Sequence, residues 1–130
     1  MIYVDTSAFM KLIWREDETA ALERFLAARP GQRWVSSTLL VIEVRRAAVR
    51  INLAHLPRAD VALNKVAHVG IGDAVVESAG RLRDPALRSL DAIHLATAIL
   101  LGDAVDVMVT YDKRLAAAAA THKIVWRTRS

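Results

Sequence analysis

Asp5, Glu43, Asp91 and Asp112 are the residues of this chain best suited to chemistry. Asp5 follows the apolar run Ile2-Tyr3-Val4 and Asp112 follows Val107-Met108-Val109-Thr110, whereas Glu43 and Asp91 fall inside helical patterns. Ligand sites in open parallel sheets lie outside the carboxyl ends of the strands, so the two strand-end aspartates are expected to share one edge. Carboxylates gathered there without countercharge repel and push one another toward protonation. A divalent cation removes that penalty, and hard oxygen donors suit Mg²⁺ or Mn²⁺. In a small basic protein such a cluster suggests a phosphodiester substrate.

Each acid also has a simpler reading. Asp5, followed by Thr6 and Ser7, is placed to cap the next helix, and Asp112 repeats that arrangement. Asp91 lies in the first turn of its helix, where the dipole favours a carboxylate. Its spacing nevertheless sets it on the stripe of Leu95 and Ala98, which should seek the core, and a carboxylate there needs a partner. Glu43 is mid-helix, where no cap is needed, on a face with Leu39, Leu40 and Ala47, with Arg46 and Arg50 in reach for a salt bridge. One shared site explains all four more simply than four separate accidents. His55, His68, His94 and His122 show no zinc-type spacing, and His94 reads as a packing or supporting residue rather than a ligand.

The elements that must position these acids follow from pattern. The 130 residues are expected to form one domain, 1–130, with an aliphatic core, because only 5% are aromatic. Turn signals at Arg29-Pro30-Gly31, Leu56-Pro57, Gly70 to Gly72, Asp84-Pro85 and Gly102-Asp103 separate the elements. The spacing predicts strands at Ile2 to Val4, His68 to Ile71, Val105 to Thr110 and Lys123 to Trp126. Helices are expected over Ser7 to Trp14, Thr19 to Ala28, Thr38 to Ile51, Arg58 to Val66, Asp73 to Leu82, Ser89 to Leu101 and Arg114 to Ala120. Strands alternating with helices predict an α/β fold, a central parallel sheet of about four to five short strands flanked by helices.

A net charge of +4 favours approach to a polyanion. Without cysteine, neither a disulfide framework nor a thiolate zinc site can form, which fits a reducing cytoplasm. No export signal opens the sequence, and the apolar run Ala92 to Leu101 is far below the ~20 residues a spanning helix needs. No membrane association is expected.

Taken in order, Val4-Asp5-Thr6-Ser7-Ala8, Glu43 with Arg45 or Arg46, Ser89-Leu90-Asp91-Ala92-Ile93-His94-Leu95-Ala96-Thr97-Ala98 and Val109-Thr110-Tyr111-Asp112-Lys113-Arg114-Leu115 resemble a PIN-domain nuclease, specifically the VapC toxins of bacterial toxin–antitoxin pairs. The resemblance spans nearly the whole chain. It implies a metal-dependent endoribonuclease, usually dimeric, held inactive by a small VapB-like antitoxin whose C-terminal segment covers the active site. Carried over by motif position, Asp5, Glu43, Asp91 and Asp112 are the catalytic, metal-binding acids, with Ser7 and Thr110 as supporting hydroxyls. Thr121-His122 departs from the pattern, standing where many relatives place a glycine before the final strand.

Arg45, Arg46, Arg50, Arg81, Arg83, Arg88, Lys113 and Arg114 are candidate contacts to RNA phosphates. Lys113 and Arg114 lead, because they follow Asp112 directly. Trp14 and Trp34 could stack on unpaired bases or pack internally. A phosphoaspartate enzyme is disfavoured, since a dehalogenase-type phosphatase would want a second aspartate where Ser7 stands, and a receiver domain would want paired acids near Asp5. A protein of the same fold that binds RNA or a partner without cutting is the other alternative.

Overall fold

Short aliphatic runs make the strands, and periodic apolar faces make the helices that cover them. The computed structural model describes residues 1–122, 124, 126 and 127. Strands β1 (Ile2–Val4), β2 (Trp34–Ser37), β3 (Val66–Val69), β4 (Val107–Val109) and β5 (Trp126–Arg127) form a five-stranded sheet in the order β3-β2-β1-β4-β5, every pair parallel. The helices are α1 (Thr6–Ile13), α2 (Thr19–Ala27), α3 (Leu39–Ile51), α4 (Leu56–Leu63), α5 (Asp73–Arg81), α6 (Ser89–Leu101) and α7 (Lys113–Thr121). None of them is long and apolar enough to cross a membrane.

Alternation along the strands divides the core in two. Ile2, Val4, Val107 and Val109 face Phe9, Leu22, Leu40, Val44, Ala59 and Leu63, the inward stripes of α1 to α4. Tyr3, Val35 and Met108 face Leu95, Ala98, Leu115 and Ala118 of α6 and α7. Helix α6 is sunk deepest, with Ala92, His94, Leu95, Ala96, Thr97 and Ala98 all buried. Its first turn therefore enters the molecule at the sheet edge with Asp91 already half-buried.

Three elements differ from expectation. Strand β2 was not anticipated, because Trp34-Val35-Ser36-Ser37 is half polar; it forms because β1 and β3 flank it and supply backbone partners on both sides. Strand β3 starts at Val66 rather than His68, since α4 has already ended at Leu63. The expected last strand at Lys123 to Trp126 lies partly outside the described residues, and β5 is described at Trp126–Arg127. The Thr121-His122 turn needs no glycine, because His122 closes α7 at φ −94°, a backbone conformation open to any residue.

The strand order fixes where a ligand can sit. Successive strands β1, β2 and β3 step one way across the sheet, and the chain then returns to place β4 on the other side of β1. The resulting crevice between the carboxyl ends of β1 and β4 is the switch point at which such sheets bind ligands. Asp5 follows β1 there, and Thr110 and Asp112 follow β4.

Candidate active site

Asp5 is 2% exposed at the head of α1, yet it is fully engaged. Its Oδ1 accepts the Ala8 backbone N–H at 2.9 Å, the bond that caps the helix. The Ser7 hydroxyl donates to both carboxylate oxygens, at 2.8 and 2.9 Å, and the buried Thr110 hydroxyl donates to Oδ2 at 2.6 Å. Ser7 Oγ in turn accepts the Tyr111 N–H at 2.8 Å, and Thr110 Oγ1 accepts the Asp112 N–H at 3.0 Å. These two hydroxyls tie the end of β1 to the loop after β4. Burial pushes the Asp5 carboxyl above its ordinary pKa, despite the lowering influence of His94 nearby and of the Thr110, Ala8 and Ser7 bonds.

Replacing Thr110 by valine keeps the shape and removes both bonds. Hydrogen bonds to charged groups are worth ~1.5–3 kcal/mol, so Thr110→Val is expected to lower the unfolding free energy by about 2 kcal/mol. Urea denaturation beside the wild type measures it; an unchanged midpoint would mean that Asp5 is held without this hydroxyl.

Glu43 projects from the middle of α3 and does not pair with an arginine among the described residues. Its Oε1 accepts the Thr6 hydroxyl at 2.5 Å and lies 3.2 Å from His94 Nε2. Burial opposes ionisation of Glu43, but the bonds from His94 and Thr6 outweigh it, and its pKa is lowered. His94 is itself 2% exposed, with Nδ1 2.8 Å from the Tyr3 hydroxyl and Nε2 3.0 Å from Thr6 Oγ1. Arg45, a neighbour of Glu43 in sequence, pairs instead with Asp60 at 3.0 Å.

Asp91 and Asp112 complete the set with different local roles. Asp112 caps α7, its Oδ1 accepting the N–H groups of Arg114 at 2.9 Å and Leu115 at 3.0 Å. Asp91 caps nothing, and no hydrogen bond or ion pair reaches its carboxylate among the described residues. Its pKa is raised first by burial, then by the charges of Asp112, Asp5 and, after a smaller opposing influence from His94, Glu43. Each of the other three acids is therefore felt at Asp91.

The donor set can be tested against a cation. Among the described residues, no three acidic or histidine side chains already close on a common point for an ion. Charge and chemistry nevertheless fit a hard divalent metal: four carboxylates converge electrostatically, no lysine or arginine among the described residues neutralises them, and their repulsion falls on the unbonded Asp91.

Around these acids, Lys113 and Arg114 are exposed at the start of α7, beside Asp112. Arg46, Arg50, Arg83 and Arg88 are also exposed, whereas Arg81 is engaged with Glu77 on its own helix. Trp14 and Trp34 are partly buried against the core, and the Trp14 indole donates to His55 Nδ1 at 2.7 Å. Sequence reasoning did not single out Thr6 or Tyr3. Thr6 reads as part of a capping string and of the N-terminal motif Val4-Asp5-Thr6-Ser7-Ala8, with no role of its own.

The family model described as "PIN domain" matches residues 2–121. Ribonuclease VapC35 of Mycobacterium tuberculosis is 41% identical over 121 residues, covering 92% of this chain and 90% of the relative. Among solved structures, a toxin-antitoxin complex from Klebsiella pneumoniae superposes with TM-score 0.69 at 25% identity, covering 86% of this chain and 87% of the other. VapBC2 from Rickettsia felis, bound to a DNA fragment from its promoter, superposes with TM-score 0.79 at 13% identity and 100% coverage of both chains, a likeness of fold.

Proposed function

Because the chain belongs to the PIN-domain family, we propose that it is an endoribonuclease toxin that uses carboxylate-held Mg²⁺ or Mn²⁺ and is neutralised by a VapB-like antitoxin. The observation that carries this reading is the field at Asp91, where Asp112, Asp5 and Glu43 all act on one carboxylate that has no hydrogen-bonding partner among the described residues. Such a site repels RNA unless a cation is present. The ribonuclease name of the VapC35 relative and the toxin–antitoxin complex from Klebsiella support the activity and the partner. A homodimer acting in the cytoplasm completes the proposal.

Asp5, Asp91, Asp112 and Glu43 would hold the ion, which when bound lowers the pKa of an attacking water and offsets charge on the phosphate. The protein's own part is positional. Ser7 and Thr110 hold Asp5 in one orientation, and the α7 N–H groups hold Asp112. Lys113 and Arg114, exposed beside Asp112, would meet the flanking phosphates, contacts that position the backbone without reading sequence. Water attacks phosphorus in line with the 3′-oxygen, a new P–O bond forms as the P–O3′ bond breaks, and the proton passes to the leaving oxygen. The products carry 5′-phosphate and 3′-hydroxyl ends.

The test is incubation of the purified, antitoxin-free protein with total cellular RNA in Mg²⁺ or Mn²⁺, and separately in chelator. Discrete cuts with 5′-phosphate ends are expected only with the cation. Equal cutting in chelator would remove the metal from the reading. RNA retained on a filter but left intact would replace the nuclease by a non-cleaving binding protein.

A further inference from the structure

Glu43 stands apart from the three aspartates because its orientation is set by side chains from three other elements. His94 reaches it from α6, Thr6 from α1, and Tyr3 of β1 braces His94 from behind. Both Thr6 and His94 address the same oxygen, Oε1. That fixes the rotation of the carboxylate and leaves Oε2 without a hydrogen bond among the described residues. We infer that His94, oriented by Tyr3, is a positioning residue that aims Glu43 Oε2 at the cation.

The inference rests on the proposed role of Glu43 as a ligand, and its geometry is specific. A carboxylate has no hydrogen to give, so Nε2, 3.2 Å from Oε1, carries the ring proton. In the neutral ring Nδ1 is then the acceptor for the Tyr3 O–H at 2.8 Å, and that bond holds the ring's orientation. The two rings meet edge-on, with centroids 5.8 Å apart and planes at 85°, and Tyr3 is wholly buried. A rigid imidazole thus runs from the sheet to Glu43, as partners behind metal ligands commonly do.

Three variants test it. His94→Asn retains an amide near the Nδ1 position and abandons Glu43, whereas His94→Gln places an amide N–H near the Nε2 position. The readouts are Mn²⁺ affinity by electron paramagnetic resonance, RNA cleavage, thermal melting, and the ring-nitrogen NMR spectrum of His94 in metal-free protein. His94→Asn is expected to weaken Mn²⁺ binding ~10–100-fold, the usual cost of removing a partner behind a ligand, with His94→Gln much closer to wild type. Tyr3→Phe removes the bond to Nδ1 but leaves Glu43 on Nε2, so the Nε2–H tautomer should persist while the Nδ1 resonance moves. Folded His94→Asn protein that binds Mn²⁺ as tightly as wild type, or equal losses in both His94 variants, would overturn the positioning role. Wild-type protein that neither binds Mn²⁺ nor cuts RNA would instead overturn the metal-nuclease reading, while the NMR spectrum would still show whether Tyr3 bonds His94 Nδ1.

Discussion

Asp5→Asn is expected to lower RNA cleavage about 1,000-fold, since a metal site supplies several kcal/mol of transition-state stabilisation and each ~1.36 kcal/mol is tenfold in rate. The substitution is nearly isosteric, so the loss should be chemical and not a failure to fold. Asparagine is as good a helix cap as aspartate, and its oxygen can keep the Ala8 N–H. Its amide nitrogen then faces the Thr110 and Ser7 hydroxyls, which can rotate from donating to accepting. What disappears is a negative charge and a lone pair at the switch-point crevice. Initial rates on an RNA that the wild type cuts, with circular-dichroism melts of both proteins, decide the matter. Cleavage at a substantial fraction of the wild-type rate by the folded variant would remove Asp5 from the chemistry.

Asp91→Asn should separate activity from stability. Cleavage is expected to fall by roughly 100-fold or more, again from lost transition-state stabilisation. Metal-free protein should become more stable at neutral pH. The Asp91 pKa in the folded protein lies above its unfolded value, because of burial and then the charges of Asp112, Asp5 and Glu43. Between those two values the folded state binds more protons than the unfolded one, so stability falls as pH rises through that interval. Above it the carboxylate is ionised in both states, and the folded protein bears the full cost of burial and repulsion. Asparagine removes that cost and flattens the dependence. Added Mn²⁺ should raise the melting temperature of the wild type, by favouring the folded state that binds it, and do much less for the variant. A variant that melts lower than wild type without metal, across neutral pH, would show that Asp91 is not electrostatically strained.

Glu43 shows how sequence and tertiary reasoning divide. Its mid-helix position marked it for something other than capping, but Arg46 and Arg50 were equally available as partners by spacing. Both arginines are solvent-exposed, while Thr6 and His94 supply the bonds. These partners lie 37 and 51 residues away along the chain, beyond the reach of any local rule. Asp91 reads the other way. Its first-turn position suggested a cap, and only the absence of a capping bond exposes it as an unsupported charge. Asp5 and Asp112 do cap their helices, as their strand-end positions suggested.

By itself the sequence determined the alternation of strands and helices, the aliphatic core, and the aspartates at strand ends, because these follow from propensities and periodicities acting over a few residues. It also carried the ordered motif strings by which the chain resembles PIN-domain nucleases. Only the tertiary structure decided the order β3-β2-β1-β4-β5, and hence the crevice between β1 and β4. It also made a strand of Trp34–Ser37, whose half-polar residues pair only because neighbours on both sides satisfy their backbone. The Tyr3–His94–Glu43 contact has the same origin. Sheet order and buried polar partners depend on which distant segments pack together, and that is settled by the free energy of the whole fold.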